Sequence, residues 1–189
     1  MNDVRSVASA AVSVMQRGGT ILYPTDTVWG LGCDARNVGA IAKLYEIKER
    51  SHTMSMLVLV ESIERLKALV GELPAFVLSA LQTASRPTTI IYPAVTGLAE
   101  NLSAPDGSLG IRLVKHTLCC AMISVLDAPI VSTSANISGQ PTATNFAAID
   151  TSIKTRVDWI APEVYDTARA QQSSRILKIE GNSLTILRS

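Results

Sequence analysis

Hydroxyls, small residues and turn formers crowd into two short stretches of this chain. They are Tyr23-Pro24-Thr25-Asp26-Thr27-Val28-Trp29-Gly30-Leu31-Gly32 and Ser132-Thr133-Ser134-Ala135-Asn136. Each follows an apolar β-type run, so each is expected where a strand gives way to a loop. Hydroxyls and glycine N–H groups at strand ends donate hydrogen bonds without filling a pocket, which is what a small anionic or zwitterionic ligand needs. A helix cap would explain one of these side chains. Three hydroxyls and an amide within residues 132–136 exceed one cap and favour a cradle for phosphate or carboxylate.

Cations of the right kind stand elsewhere in the chain. Lys48 and Arg50 close a helical pattern, where they either complement the helix dipole or hold nucleotide phosphates. Arg112 interrupts an apolar strand, and a cation entering the interior needs a buried carboxylate or a substrate anion; the spacing leaves both open. Asp26 is read more simply as an Asx-turn than as a base or metal ligand. Several site signatures are absent from the sequence: the phosphate loop G-x-x-x-x-G-K-[ST], the nucleophile elbow G-x-S-x-G and the zinc helix H-E-x-x-H, and His52 and His116 stand apart. Residues 30–35 match a loose G-x-G-x-x-A dinucleotide pattern, but six residues separate Gly30 from Tyr23, so the first glycine does not close the strand.

The elements that must position these groups alternate between strand and helix. Val4, Val7, Ala8, Ala11, Val12 and Met15 recur at helical spacing before Gly18-Gly19, predicting an opening helix. Strands are expected at 20–23, 56–60, 88–92, 109–113, 130–131 and 157–160, with helices from about 38 to 48, 62–70, 75–84, 117–126 and 146–153. Gly181-Asn182 signals a hairpin between 175–179 and 183–187 that brings Arg188 back beside its start. The pattern predicts one α/β domain over residues 1–189 with a mixed, twisted sheet. A hydrophobic content of 47% with 17% charged residues excludes disorder, and no apolar run reaches the length of a membrane span. Cys33 and the adjacent Cys119-Cys120 fit neither a disulfide framework nor a metal C-x-x-C, so reduced core thiols and a cytoplasmic location are expected. A net charge of +1 gives no global pull toward nucleic acid or membrane.

The order of these motifs, Tyr-Pro-Thr-Asp-Thr-Val-Trp-Gly-Leu-Gly, Lys48-x-Arg50, Pro87-x-Thr89, Arg112, Ser-Thr-Ser-Ala-Asn, then Ser173-Ser174 with Arg188, closely resembles the threonylcarbamoyl-AMP synthase family, also called YrdC-like. The resemblance runs from about Gly18 to Arg188 and is to the short, single-domain form. It implies a twisted open mixed sheet wrapped by helices around a concave electropositive site. It implies a nucleotidyl transfer in which L-threonine, bicarbonate and ATP, with Mg²⁺ on the phosphates, give threonylcarbamoyl-AMP and pyrophosphate. Carried residue by residue, it implies that Lys48, Arg50, Thr89, Ser134, Asn136, Ser174 and Arg188 contact ATP. Thr27 and Arg112, with Ser132 nearby, would hold threonine, and Lys48, Arg50 and Arg112 would carry the catalysis. Further implied partners are the tRNA threonylcarbamoyl transferase machinery and tRNA itself.

Two segments depart from the family pattern. Prolines usual after Lys-x-Arg are replaced in Ser51-His52-Thr53-Met54-Ser55-Met56, and Trp-Pro-Gly-Pro is replaced in Thr83-Ala84-Ser85-Arg86-Pro87, so Arg86 is expected either to add a phosphate contact or to fill space near the adenine. Two alternatives remain: a non-catalytic RNA-binding module of the same fold, binding through phosphate contacts, and an enzyme that carbamoylates a different acceptor.

Overall fold

The computed structural model describes residues 3–51, 56–167 and 172–189. The chain opens with α1 (Val4–Gln16), whose buried stripe Val7, Ala8, Ala11, Val12 and Met15 is the one the helical spacing predicts. Strand β1 (Ile21–Tyr23) is followed by β2 (Gly30–Gly32), α2 (Val38–Lys48), β3 (Leu57–Val60), α3 (Ile63–Val70) and α4 (Ala75–Thr83). The chain continues through β4 (Thr88–Tyr92), β5 (Leu109–Leu113), α5 (Thr117–Leu126), β6 (Ile130–Ser134), α6 (Thr151–Arg156) and β7 (Trp159–Ile160). A short 3-10 turn (Glu163–Tyr165) precedes the closing hairpin β8 (Arg175–Glu180) and β9 (Ser183–Arg188).

The strands form one mixed sheet in the order β7-β1-β2-β6-β3-β5-β4-β8-β9. The pairs β1–β7, β3–β5 and β4–β8 run parallel; β1–β2, β2–β6, β3–β6, β4–β5 and β8–β9 run antiparallel. Helix α1 packs on α5, and α5 packs on β3. One sheet face supplies the centre of the core. Val131, Val58, Ile111, Ile90 and Leu177 lie in register across β6, β3, β5, β4 and β8, and all are buried. Side chains alternate between faces along a strand, so the residues flanking these five point the other way.

Four local expectations change. Residues 30–32 are strand rather than loop, and Gly32 packs where a Cβ would stand 2.8 Å from the Tyr23 ring. That close packing, rather than a dinucleotide, accounts for this glycine. The strand predicted at 130–131 continues through Ser134, because Leu31↔Thr133 and Gly30↔Ser134 pair with β2. The hydroxyl motif is therefore mostly strand. The helix expected over 146–153 instead begins at Thr151, capped by Asp150, which accepts from the Ser152 N–H at 2.7 Å. Phe146 precedes it and packs against Trp29. Asp26 does not close an Asx-turn in the hydrogen bonds described; its carboxylate pairs with Arg112.

Candidate active site

The face opposite the core carries the cleft. Register places Ser134 beside Gly30, Ser132 and Gly110 beside Leu57, Arg112 beside Thr89, Ile176 beside Thr89, and Arg188 beside Ile176. These residues line one cleft of about 240 Å³ that spans β2, β6, β3, β5, β4, β8 and β9. Its floor is low because two glycines form it. A Cβ on Gly30 would stand 3.2 Å from Ser132 Oγ, and one on Gly110 would stand 3.1 Å from Thr89 Cγ2. Thr27, Arg50, Thr89, Arg112, Ser132, Ser134, Ser174 and Arg188 all line the cleft, and none of its described lining residues is acidic. Thr25, Trp29 and Thr133, which belong to the two quoted motifs but were given no ligand of their own, line it too.

Arg112 resolves the choice left open by its sequence position, because it has a carboxylate partner and a spare donor together. Its Nη2 lies 3.2 Å from Asp26 Oδ1, at ion-pair distance but without the angle of a hydrogen bond. Nη1 donates to Thr27 Oγ1 at 3.2 Å, while Nε is buried with no acceptor among the described residues. Thr27 is fixed from its other side. Its hydroxyl lies 2.9 Å from that of Thr25, and Thr25 Oγ1 accepts from Thr27 N–H and donates to Val28 O at 2.8 Å. The Thr-Asp-Thr motif thus folds onto itself and holds the guanidinium edge-on.

Lys48 reaches the site indirectly. Helix α2 ends with Glu49 in the left-handed region, φ 51°, and Arg50 N–H returns to Tyr45 O at 3.0 Å. That turn leaves Lys48 buried and sets Arg50 on the cleft wall. Lys48 Nζ donates to Ser134 O at 2.5 Å and Asn136 O at 2.7 Å, and its own carbonyl accepts from Ser138 N–H at 2.9 Å. Burial, followed by the neighbouring Arg50, pulls the Lys48 ammonium down to about 8. Lys48 and Asn136 are outside the described cleft lining. The Asn136 amide donates to Ile137 O and Gln140 O, leaving its buried Oδ1 without a partner.

The far wall carries a second hydroxyl pair and the Arg188 guanidinium, with Arg86 close behind Ser173. Thr89 Oγ1 and Ser174 Oγ, both buried, are 2.8 Å apart. Arg188 donates from Nε and Nη2 to Ser174 O at 3.1 and 2.8 Å. Arg86 Nη2 stands 3.5 Å from Ser173 O. Burial first, then Arg112 and Arg86, lowers the Arg188 pKa, which marks both as cations that repel Arg188. Only Arg112 among the three has a carboxylate at ion-pair distance in the described residues. The arrangement suits a ligand carrying several negative charges. His52, Thr53, Met54 and Ser55, which replace the family's proline pattern, lie outside the described residues.

Comparisons with known proteins agree with this fold. The model of the Sua5_yciO_yrdC family, described as telomere recombination, matches residues 13–189. A threonylcarbamoyl-AMP synthase of Xanthomonas euvesicatoria pv. vesicatoria is 33% identical over 159 residues, covering 79% of this chain and 82% of the relative. Among solved structures, P. abyssi Sua5 complexed with L-threonine superposes with a TM-score of 0.86 at 23% identity, over all of this chain and 55% of the longer one. E. coli YciO superposes with a TM-score of 0.78 at 19% identity, over all of this chain and 90% of that one. This chain therefore spans about half the length of the Sua5 structure and most of the other two.

Proposed function

The chain belongs to the Sua5/YciO/YrdC family, and from that membership we propose that it is a threonylcarbamoyl-AMP synthase, forming threonylcarbamoyl-AMP and pyrophosphate from L-threonine, bicarbonate and ATP. The observation that carries this reading is the cleft with no acidic residue in its described lining, in which Arg112 keeps a buried Nε–H without an acceptor among the described residues, beside Thr27. A carboxylate received there meets a planar donor already held in place by Asp26 and Thr27, a geometry that lysine would not supply.

The chemistry then needs positioning more than a protein nucleophile. Threonine's amine adds to the carbon of CO₂ derived from bicarbonate, the amine proton and the hydroxide from bicarbonate leave together as water, and the resulting carbamate oxygen attacks the α-phosphorus of ATP. A P–O bond forms, the bond to the β-phosphate oxygen breaks, and pyrophosphate leaves with the electron pair. Two anions must approach each other, so Arg50, Arg188 and the buried Lys48 offset their repulsion and the charge that gathers on the leaving group. Ser134 and the Thr89–Ser174 pair offer hydroxyls to the nucleotide, Asn136 acts through Lys48, which its backbone carbonyl holds, and Ser132 borders the threonine end.

The cleft does not fit a resident magnesium ion, because its described lining has no carboxylate and no described group of three or more His, Cys, Asp or Glu residues could hold a metal. Mg²⁺ would arrive as the counter-ion of the nucleotide phosphates. We place residues 1–189 in one domain, its activity in the cytoplasm, and its product in the supply to tRNA threonylcarbamoyladenosine formation, with tRNA and the transferring machinery as partners. No helix among the described residues is long and apolar enough to cross a membrane.

Pyrophosphate release by the purified chain, with threonine and bicarbonate omitted in turn, tests the proposal. Release that requires both supports it. RNA binding with a steep salt dependence and no threonine-dependent release would replace it with the non-catalytic module.

A further inference from the structure

Trp29 joins the segments that line the cleft. Its carbonyl accepts from Ala135 N–H at 2.9 Å, which fastens the Thr-Asp-Thr stretch to the Ser-Thr-Ser-Ala-Asn stretch. Its indole Nε1–H donates to Asp166 Oδ2 at 2.7 Å, and its ring lies against Phe146 with centroids 4.9 Å apart. The Lys154 ammonium sits over the other partner of that stack, 4.5 Å from the Phe146 centroid. Trp29 is almost fully buried, yet it forms part of the cleft wall.

Asp166 directly follows the 3-10 turn after β7 and precedes the cleft-lining Ser173 and Ser174 in the sequence. The neighbouring residue is tied as well, because His116 Nε2 and Tyr165 O are 2.9 Å apart. An indole nitrogen is a donor only, so a buried one left without an acceptor is costly, and a carboxylate is the stronger acceptor. Resting on the synthase reading above, we infer that Asp166 is a positioning residue for the threonine site, acting through the Trp29 indole to fix Thr25, Thr27 and the Val28 carbonyl beside Arg112. Asp166 itself touches neither Arg112 nor Thr27 in the hydrogen bonds described. Its effect on substrate passes through the ring it holds.

The test uses Asp166→Ala, Asp166→Asn and Trp29→Phe in the full chain. The sequence contains two tryptophans, so Trp29→Phe assigns the Trp29 indole N–H resonance in a proton–nitrogen NMR spectrum. That resonance should move upfield in Asp166→Ala and stay near its original position in Asp166→Asn, whose amide oxygen still accepts. In pyrophosphate release, Asp166→Ala should raise the KM for threonine about 5–10-fold, with kcat held within about twofold. Asp166→Asn should restore most of the loss, Trp29→Phe should match Asp166→Ala, and combining the two should add nothing. An unchanged KM, an Asn variant as impaired as the Ala variant, or additive losses would overturn the inference. If the wild-type chain shows no threonine-dependent release, the synthase reading falls and takes the threonine role with it, while the indole resonance still reports whether the contact exists.

Discussion

Replacing Lys48 by methionine removes a charge that the proposed reaction needs and folding does not. Lys48 is about 1% exposed, and only backbone carbonyls accept the described hydrogen bonds of its ammonium. The fall of its pKa from 10.5 to about 8 corresponds to a cost of roughly 3 kcal/mol for carrying the proton in the folded chain at neutral pH. Methionine relieves that cost but strips the donor from Ser134 O and Asn136 O, at about 1–3 kcal/mol for each carbonyl left dry. The two effects nearly cancel, so Lys48→Met should fold with a stability at pH 7 within about 3 kcal/mol of wild type. The sign with pH is fixed. Between about 8 and 10.5 the unfolded chain holds more protons at this lysine than the folded one, so its contribution to stability rises with pH across that window. From pH 7 to 9.5 wild type should gain about 2 kcal/mol on the variant, or about 4–8 °C in Tm for a chain of this size. Buried Tyr23 and Tyr92, both pushed upward by burial, titrate alike in the two proteins and cancel in the difference. Scanning thermal unfolding of both proteins across this range gives the answer, with pyrophosphate release measured alongside and expected to fall at least about 100-fold. A Tm difference that is flat from pH 7 to 9.5 would refute the picture of Lys48 as a desolvated cation.

Three further outcomes follow from particular contacts. Arg112→Lys should raise the threonine KM at least about tenfold while changing that for ATP by no more than about threefold, because a single ammonium cannot hold Asp26, Thr27 and a carboxylate together; equal losses for both substrates in steady-state kinetics would contradict it. Thr89→Val leaves the buried Ser174 hydroxyl without its 2.8 Å partner and should cost about 1–3 kcal/mol in denaturant unfolding, with weaker ATP binding by calorimetry. Gly32→Ala drives a Cβ into Val131 O and the Tyr23 ring and should lower stability by more than about 3 kcal/mol, read as lost soluble yield or a depressed Tm.

The sequence by itself determined the elements and the chemical types. Helical spacing located α1, α2 and α5, and the Gly181-Asn182 turn fixed the hairpin that returns Arg188 to Ile176, because these signals depend on residues a few positions apart. Local signals failed where pairing was distant. Ser132 to Ser134 and Gly30 to Gly32 looked like loop, and each became strand by pairing with the other and with a further strand, β3 beside Ser132 and β1 beside Gly30 to Gly32. Tertiary structure also decided which residues meet. A sheet ordered β2-β6-β3-β5-β4-β8-β9 sets Ser132, Arg112, Thr89 and Arg188 on one face, although these residues are spread over about a hundred positions of chain. It settled that Arg112 has both a carboxylate partner and a spare donor, that Lys48 straps two carbonyls, and that Asp166 reaches Trp29. A residue's type states what it can bond to; which bond it makes depends on a register that no local pattern encodes.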